Sequence, residues 1–211
     1  MVDWVTAVPR LLGAAAESSP LLGYAAIAVA MLLETVIAPM PAELILPFAG
    51  YLVHEGRLEL VPVILAGVLG SVLGAWCWYG LGRLINERRL ERFAARHGTW
   101  LGFSPAALAA SRRWFGHHGV ALVFWGRVIP GVRTFVSVPA GIELMPQPAF
   151  LAWTAAGSTL WVSALTLAGL ALGPYYGRVL AWLEPIGGGL LAALSVAVAL
   201  AMLVWLWRRR R

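Results

Sequence analysis

The sequence predicts an all-α integral membrane protein. It reads as two inverted repeats, each a re-entrant helical hairpin plus a transmembrane helix, with an N-terminal interfacial helix and a C-terminal transmembrane helix. Three observations carry this. The 211 residues are 60% hydrophobic and 12% charged, about half the charge of a soluble domain. Two apolar stretches hold charges with proline or glycine between them: Glu34-Thr-Val-Ile-Ala-Pro-Met-Pro-Ala-Glu43 and Gly126-Arg-Val-Ile-Pro-Gly-Val-Arg133. The breakers recur with one spacing: Pro39 precedes Gly50 by eleven residues, and Pro130 precedes Gly141 by the same eleven.

Residues 1–19 open the chain. Trp4, Val5, Val8, Leu11 and Leu12 fall on one side of a helix with Asp3 and Arg10 off it, which predicts an interfacial helix. No basic segment precedes an apolar core, so a cleaved secretory signal is not expected. Ser18-Ser19-Pro20 is a helix start signal. Residues 21–53 number 33, whereas one span needs about 20 and two with a turn need more than about 40. With prolines at 39, 41 and 47, a re-entrant hairpin fits best; one kinked, tilted helix is the alternative. Non-helical backbone at that depth must be buried in protein or face water.

Residues 60–82 read as an ordinary span, with Gly67, Gly70 and Gly74 at spacing suited to close helix packing. Residues 83–118 form the long polar stretch, with seven arginines against Glu87 and Glu91. They mark the cytoplasmic side, as does the Arg208–Arg211 run. Residues 119–148 repeat the hairpin pattern, with Arg127 and Arg133 inside and Pro130-Gly131 and Pro139 as breakers. Residues 149–172 are a second plain span, stopped by Gly173-Pro174, and 186–207 a last one. The segments left over are too short for a soluble domain, so residues 1–211 form a single membrane domain.

One hairpin plus one span crosses the membrane once, so two such units in series point in opposite directions. With 83–118 inside, both arginine-rich segments and the C-terminus lie in the cytoplasm. Inverted repeats whose broken helices meet at mid-depth are a transporter architecture. The net charge of +6 comes wholly from arginine and reads as topology and anionic-lipid contact, not nucleic-acid binding.

A charge at the bilayer centre costs roughly 2.5–3.5 kcal/mol, so four facing acyl chains would cost on the order of 10 kcal/mol. Glu34, Glu43, Arg127 and Arg133 must therefore pair or line a polar gap. Arginine binds carboxylate or phosphate with a planar fork. Desolvation raises a carboxyl pKa and a neighbouring guanidinium lowers it, so an anionic headgroup that displaces glutamate from arginine would free that glutamate to take a proton. A static ion-pair network is the competing account. His117-His118 has no carboxylate or cysteine at ligand spacing, so no metal is expected, and no cofactor motif is present. The lone Cys77 reads as a small packing residue, and no intrachain disulfide can form.

Glu34…Pro39-Met-Pro41-Ala-Glu43, Gly74…Tyr79-x-x-Gly82-Arg83, Gly126-Arg-Val-Ile-Pro-Gly-Val-Arg133-Thr-Phe…Pro139-Ala-Gly141 and Phe150…Gly157…Trp161 together resemble the DedA family of bacterial membrane proteins. Its eukaryotic relatives carry the VTT, or SNARE-associated Golgi, domain. The resemblance spans about residues 20–175. It implies two opposed hairpins in the bacterial cytoplasmic membrane and translocation of a lipid with an anionic headgroup, undecaprenyl phosphate foremost and phospholipids in some relatives. It also implies that Glu34, Glu43, Arg127 and Arg133 are the functional positions. Where many members carry aspartate after the glycine matching Gly74, this chain has Ala75. The expected function is a non-enzymatic transporter of a phosphate-headed lipid, with protons as a candidate coupling ion. A scramblase, a proton-linked ion or small-solute antiporter and a scaffold are the alternatives. The number of chains, a homo-oligomer included, stays open.

Overall fold

The computed structural model describes residues 4–37, 42–84, 118–129 and 132–176. Regular structure among the described residues is entirely helical. Pro39, Pro41, Pro130, Gly131, most of the arginine-rich segment and the span expected at 186–207 lie outside them.

Helix α1 is Trp4–Ser18 and α2 is Pro20–Ile37. Ser19 Oγ accepts the Leu22 N–H at 3.1 Å, an N-cap with proline at the first helical position. The buried apolar side chains of α1 include Val8, Leu12 and Ala16. Leu11, 100° away from Leu12, is 70% exposed. Gly23 of α2 lets α1 lie close, because a Cβ there would stand 3.2 Å from the Ala16 Cα.

Helices α3, Ala42–His54, and α4, Leu60–Leu84, follow. The loop between them is tied back to the first two helices. Arg57 pairs with Glu17 at 2.7 Å, and the Glu59 N–H donates to the Tyr24 hydroxyl at 3.0 Å. Next come the helical residues 118–128, here α5, then two short helices, α6 at Val132–Phe135 and α7 at Ser137–Ile142. Helix α8, Gln147–Leu172, ends at Gly173, whose φ of +36° stops the helix before a 3-10 turn at Gly173–Tyr175.

Helices α2, α4 and α8 are long and apolar enough to cross a membrane. At 18 residues, α2 rises about 27 Å, close to the roughly 30 Å hydrocarbon core. It is therefore longer than the limb that the expected dip over 21–53 requires. Two prolines expected to break helices lie within them. Pro47 sits inside α3, and Pro139 falls in the first turn of α7, where its missing N–H has no intrahelical role. Cys77 is a correction: it is exposed rather than packed. Ala75 and Tyr79 take the inward positions of that stretch, at 0% and 1% exposure, and each is 200° from Cys77 around the helix.

Two apolar clusters form. One joins Val8, Leu12, Met31, Leu46 and Val63 to Val162 of α8. The other joins Ala75 and Tyr79 of α4 to Val123, Val136, Ala140, Met145 and Phe150. The first uses the start of α4 and the later part of α8, and the second the reverse, so these two helices pass head to tail. Buried Ser71 on α4, and Thr154 and Ser158 on α8, fall between the clusters. Ser71 is the twelfth of 25 residues in α4, and Ser158 the twelfth of 26 in α8. A polar layer thus lies midway along both long helices. Large apolar side chains such as Leu65, Leu69, Leu160 and Leu167 point outward, the surface a lipid environment suits.

Candidate functional site

Glu34 sits one turn from the end of α2 and is 6% exposed. Its carboxylate accepts from, and forms an ion pair with, the Arg133 guanidinium of α6, 99 residues away. Thr35 Oγ1 lies 3.3 Å from Glu34 Oε2 and 2.9 Å from the Met31 carbonyl oxygen. The Thr35 carbonyl belongs to the last turn of α2, where intrahelical donors run out. Trp78 Nε1 donates to it at 2.8 Å, which fixes the turn that carries Glu34.

Arg127 occupies the last turn of α5 and is 3% exposed. A cation there complements the helix dipole. Its Nη2 donates to Ser137 Oγ at 2.5 Å, while its Nε is buried with no acceptor among the described residues. Gly157 of α8 makes room for it, since a Cβ there would meet the Phe124 carbonyl oxygen at 2.6 Å and the Arg127 Cβ at 2.9 Å.

A cavity joins these groups. Thr35, Ser71, Arg127, Arg133, Ser158, Trp161 and Val162 line it. It holds about 240 Å³ counting its open mouth, and has room for about one water. Two guanidiniums face one carboxylate, a formal balance of +1 with Glu34 ionised. Trp161 Nε1 is also buried without an acceptor. A buried unsatisfied donor costs about 1–3 kcal/mol, more when charged. Arg127 Nε and Trp161 Nε1 are thus two donors, on residues that line the cavity, without an acceptor among the described residues.

Three of the four expected charges, Glu34, Arg127 and Arg133, come together. Glu43, exposed in the first turn of α3, is bonded to none of them but stands close enough for its charge to act on Glu34. Gly50 and Gly141 lie inside α3 and α7, at helix crossings. A Cβ at Gly50 would overlap the Thr166 carbonyl oxygen of α8, and one at Gly141 the Tyr79 carbonyl oxygen of α4. Sequence reasoning missed Thr35, Ser71, Ser137 and Ser158, and knew Trp161 only through its family motif. A signal for two of these was present: Gly70-Ser71 and Gly157-Ser158 are Gly-Ser pairs at the middles of the two spans. Among the described residues, no three His, Cys, Asp or Glu side chains converge as a metal site would need.

Apolar spanning helices around a buried cluster of charges define an integral membrane protein with an interior polar site. Residues 40–171 match the VTT domain, and the chain belongs to that family, the DedA proteins. It is 32% identical over 189 residues to undecaprenyl phosphate transporter A of Staphylococcus aureus, covering 90% of this chain and 93% of that one. Identity to undecaprenyl phosphate transporter A of Bacillus subtilis is 32% over 158 residues, with 75% and 76% covered. An alkaline phosphatase-like protein of Lactococcus lactis subsp. cremoris is 35% identical over 188 residues, with 89% and 88% covered. No solved structure matches the chain.

Proposed function

We propose that this protein is a transporter of the DedA type that carries a phosphate-headed lipid, undecaprenyl phosphate by preference, across the bacterial cytoplasmic membrane. The observation that carries this is Arg127: a buried guanidinium with an unpartnered Nε, beside a second arginine whose charge Glu34 already neutralises. That arrangement wants one more anion. The names of two relatives, both undecaprenyl phosphate transporter A, support a lipid phosphate as that anion.

In the resting state Glu34 holds Arg133, and the cavity admits no headgroup. A lipid phosphate engages Arg127 first, then takes Arg133 from Glu34. The released carboxylate takes a proton, which couples lipid to proton movement. Glu43, exposed at the start of α3, serves as the outer proton acceptor and counter-charge. The acyl tail stays in the bilayer through a lateral opening.

We read α2–α3 and α5–α7 as opposed hairpins, and α4 and α8 as the paired spans of an inverted repeat. Matched close approaches support this. Gly50 of α3 meets α8 at Thr166, and Gly141 of α7 meets α4 at Tyr79. Gly70 and Gly82 are twelve residues apart on α4, as are Gly157 and Gly169 on α8. The arginine-rich segment and the C-terminus are assigned to the cytoplasm.

The test is reconstitution in liposomes with labelled lipids, with and without a pH gradient. The expected result is transbilayer movement of a polyprenyl phosphate, accelerated by the gradient and abolished by Arg127→Ala or Arg133→Ala in protein that still inserts. Wild-type flux in both variants would reject the phosphate clamp. Gradient-independent movement of phospholipid would favour a scramblase. Proton-linked flux of a small solute without lipid dependence would favour an antiporter.

A further inference from the structure

We propose that Trp161, Ser158 and Ser71 are headgroup ligands, a neutral wall of donors that completes the anion site the arginines line. This assignment rests on the transport role proposed for the site.

All three line the same cavity as Arg127 and Arg133. They come from two helices, α4 and α8, that the charged motifs do not include. Ser71 and Ser158 are 7% and 4% exposed. Neither hydroxyl bonds to another described residue, although a helical serine has a ready acceptor in the carbonyl four residues back. Trp161 Nε1 is buried and unpaired in the same wall. The indole ring packs at the edge of the first apolar cluster, so its position is set by the ring and leaves the N–H unused.

The chemistry of these groups is one-sided. An indole N–H is a donor only, and a serine hydroxyl supplies one donor without charge. A phosphate monoester has more acceptor sites than two guanidiniums fill once one fork arm of Arg127 is held by Ser137. Two hydroxyls and an indole N–H can take the remaining oxygens. Because they are neutral, they strengthen binding without changing the charge that Glu34 must balance. The arginines would then set the sign of the ligand, while the α4–α8 wall would determine how tightly its oxygens are held. Such a wall favours a tetrahedral oxyanion over a planar carboxylate, whose two oxygens the arginine forks already satisfy.

The experiment compares Trp161→Phe, Ser71→Ala and Ser158→Ala with Trp153→Phe, an exposed tryptophan on the same helix. The probe is a fluorescent polyprenyl monophosphate in vesicles of phosphatidylcholine and phosphatidylglycerol. Thermal stability in detergent is measured alongside. Trp161→Phe keeps the ring and removes the N–H. It is expected to raise the half-saturating lipid concentration about tenfold with maximal flux retained. Its stability should not fall, because no bond is lost in the lipid-free protein. Each serine variant should raise half-saturation by a smaller factor, and Trp153→Phe should match wild type. Arg127→Ala separates the two layers of inference. If it abolishes flux while all three wall variants behave as wild type, the wall is refuted and the clamp survives. If Arg127→Ala carries wild-type flux, the clamp fails and the wall with it; if the wild-type protein moves no polyprenyl phosphate, the transport role fails. Lower stability with unchanged half-saturation in Trp161→Phe would make this tryptophan a packing residue and overturn its assignment.

Discussion

Arg127 and Arg133 carry the same charge six residues apart, yet the fold gives them different company. Arg133 meets a carboxylate, whereas Arg127 meets a serine hydroxyl. Their removal should therefore differ. Arg133→Gln strands Glu34 and is expected to cost about 3–5 kcal/mol of stability. The double variant Glu34→Gln/Arg133→Gln should recover much of that while staying inactive in transport. Arg127→Gln removes a buried charge that is not ion-paired to Glu34, so stability should hold or rise as flux is lost. Unfolding in detergent, read against flux in liposomes, checks all three; equal destabilisation by the two arginine variants would contradict the assignment. Ala75 belongs to the same scale. Its side chain is fully buried among Tyr79, Val123 and Val136, so the position is part of an apolar cluster.

The elements fit by close approach of backbones. Small residues let membrane helices pack without a hydrophobic drive between them. Gly50 and Gly141 each lie against a carbonyl oxygen of a long helix, and backbone cannot step aside as a side-chain tip can. Gly50→Ala or Gly141→Ala should cost at least about 1–3 kcal/mol. Gly80→Ala, with nothing within 4 Å of the added Cβ, should be neutral or stabilising by up to about 1 kcal/mol. Thermal unfolding of the three variants in detergent is the check; a Gly50→Ala protein as stable as wild type would mean that α3 has room to move off α8. The spacing of Pro39 with Gly50 and Pro130 with Gly141 was visible in the sequence. That the glycines serve helix crossings was not, because the sequence does not say which helix comes near.

At the scale of the molecule, among the described residues, apolar side chains face outward and a polar layer divides two apolar clusters. Cys77, the only thiol, stands exposed on the spanning helix α4. In intact membranes it should resist a membrane-impermeant maleimide, and it should react once the protein is in detergent. Labelling by the impermeant reagent would put that face of α4 against water. A C-terminal fluorescent-protein fusion should be bright in cells if the Arg208–Arg211 end is cytoplasmic; a dark fusion of well-inserted protein would reverse the orientation.

Composition alone made this a membrane protein, and the cost of charge in hydrocarbon alone singled out Glu34, Glu43, Arg127 and Arg133, because both follow from residue type and local hydropathy. Partner choice did not. Which arginine Glu34 holds, the outward turn of Cys77, the exposure of Glu43 and the arrival of Ser71, Ser158 and Trp161 at one cavity depend on helices distant in sequence meeting at a particular depth and rotation. Serine and tryptophan carry no cost in an apolar segment large enough to flag them beforehand, so tertiary packing alone decided that they share a wall with the arginines.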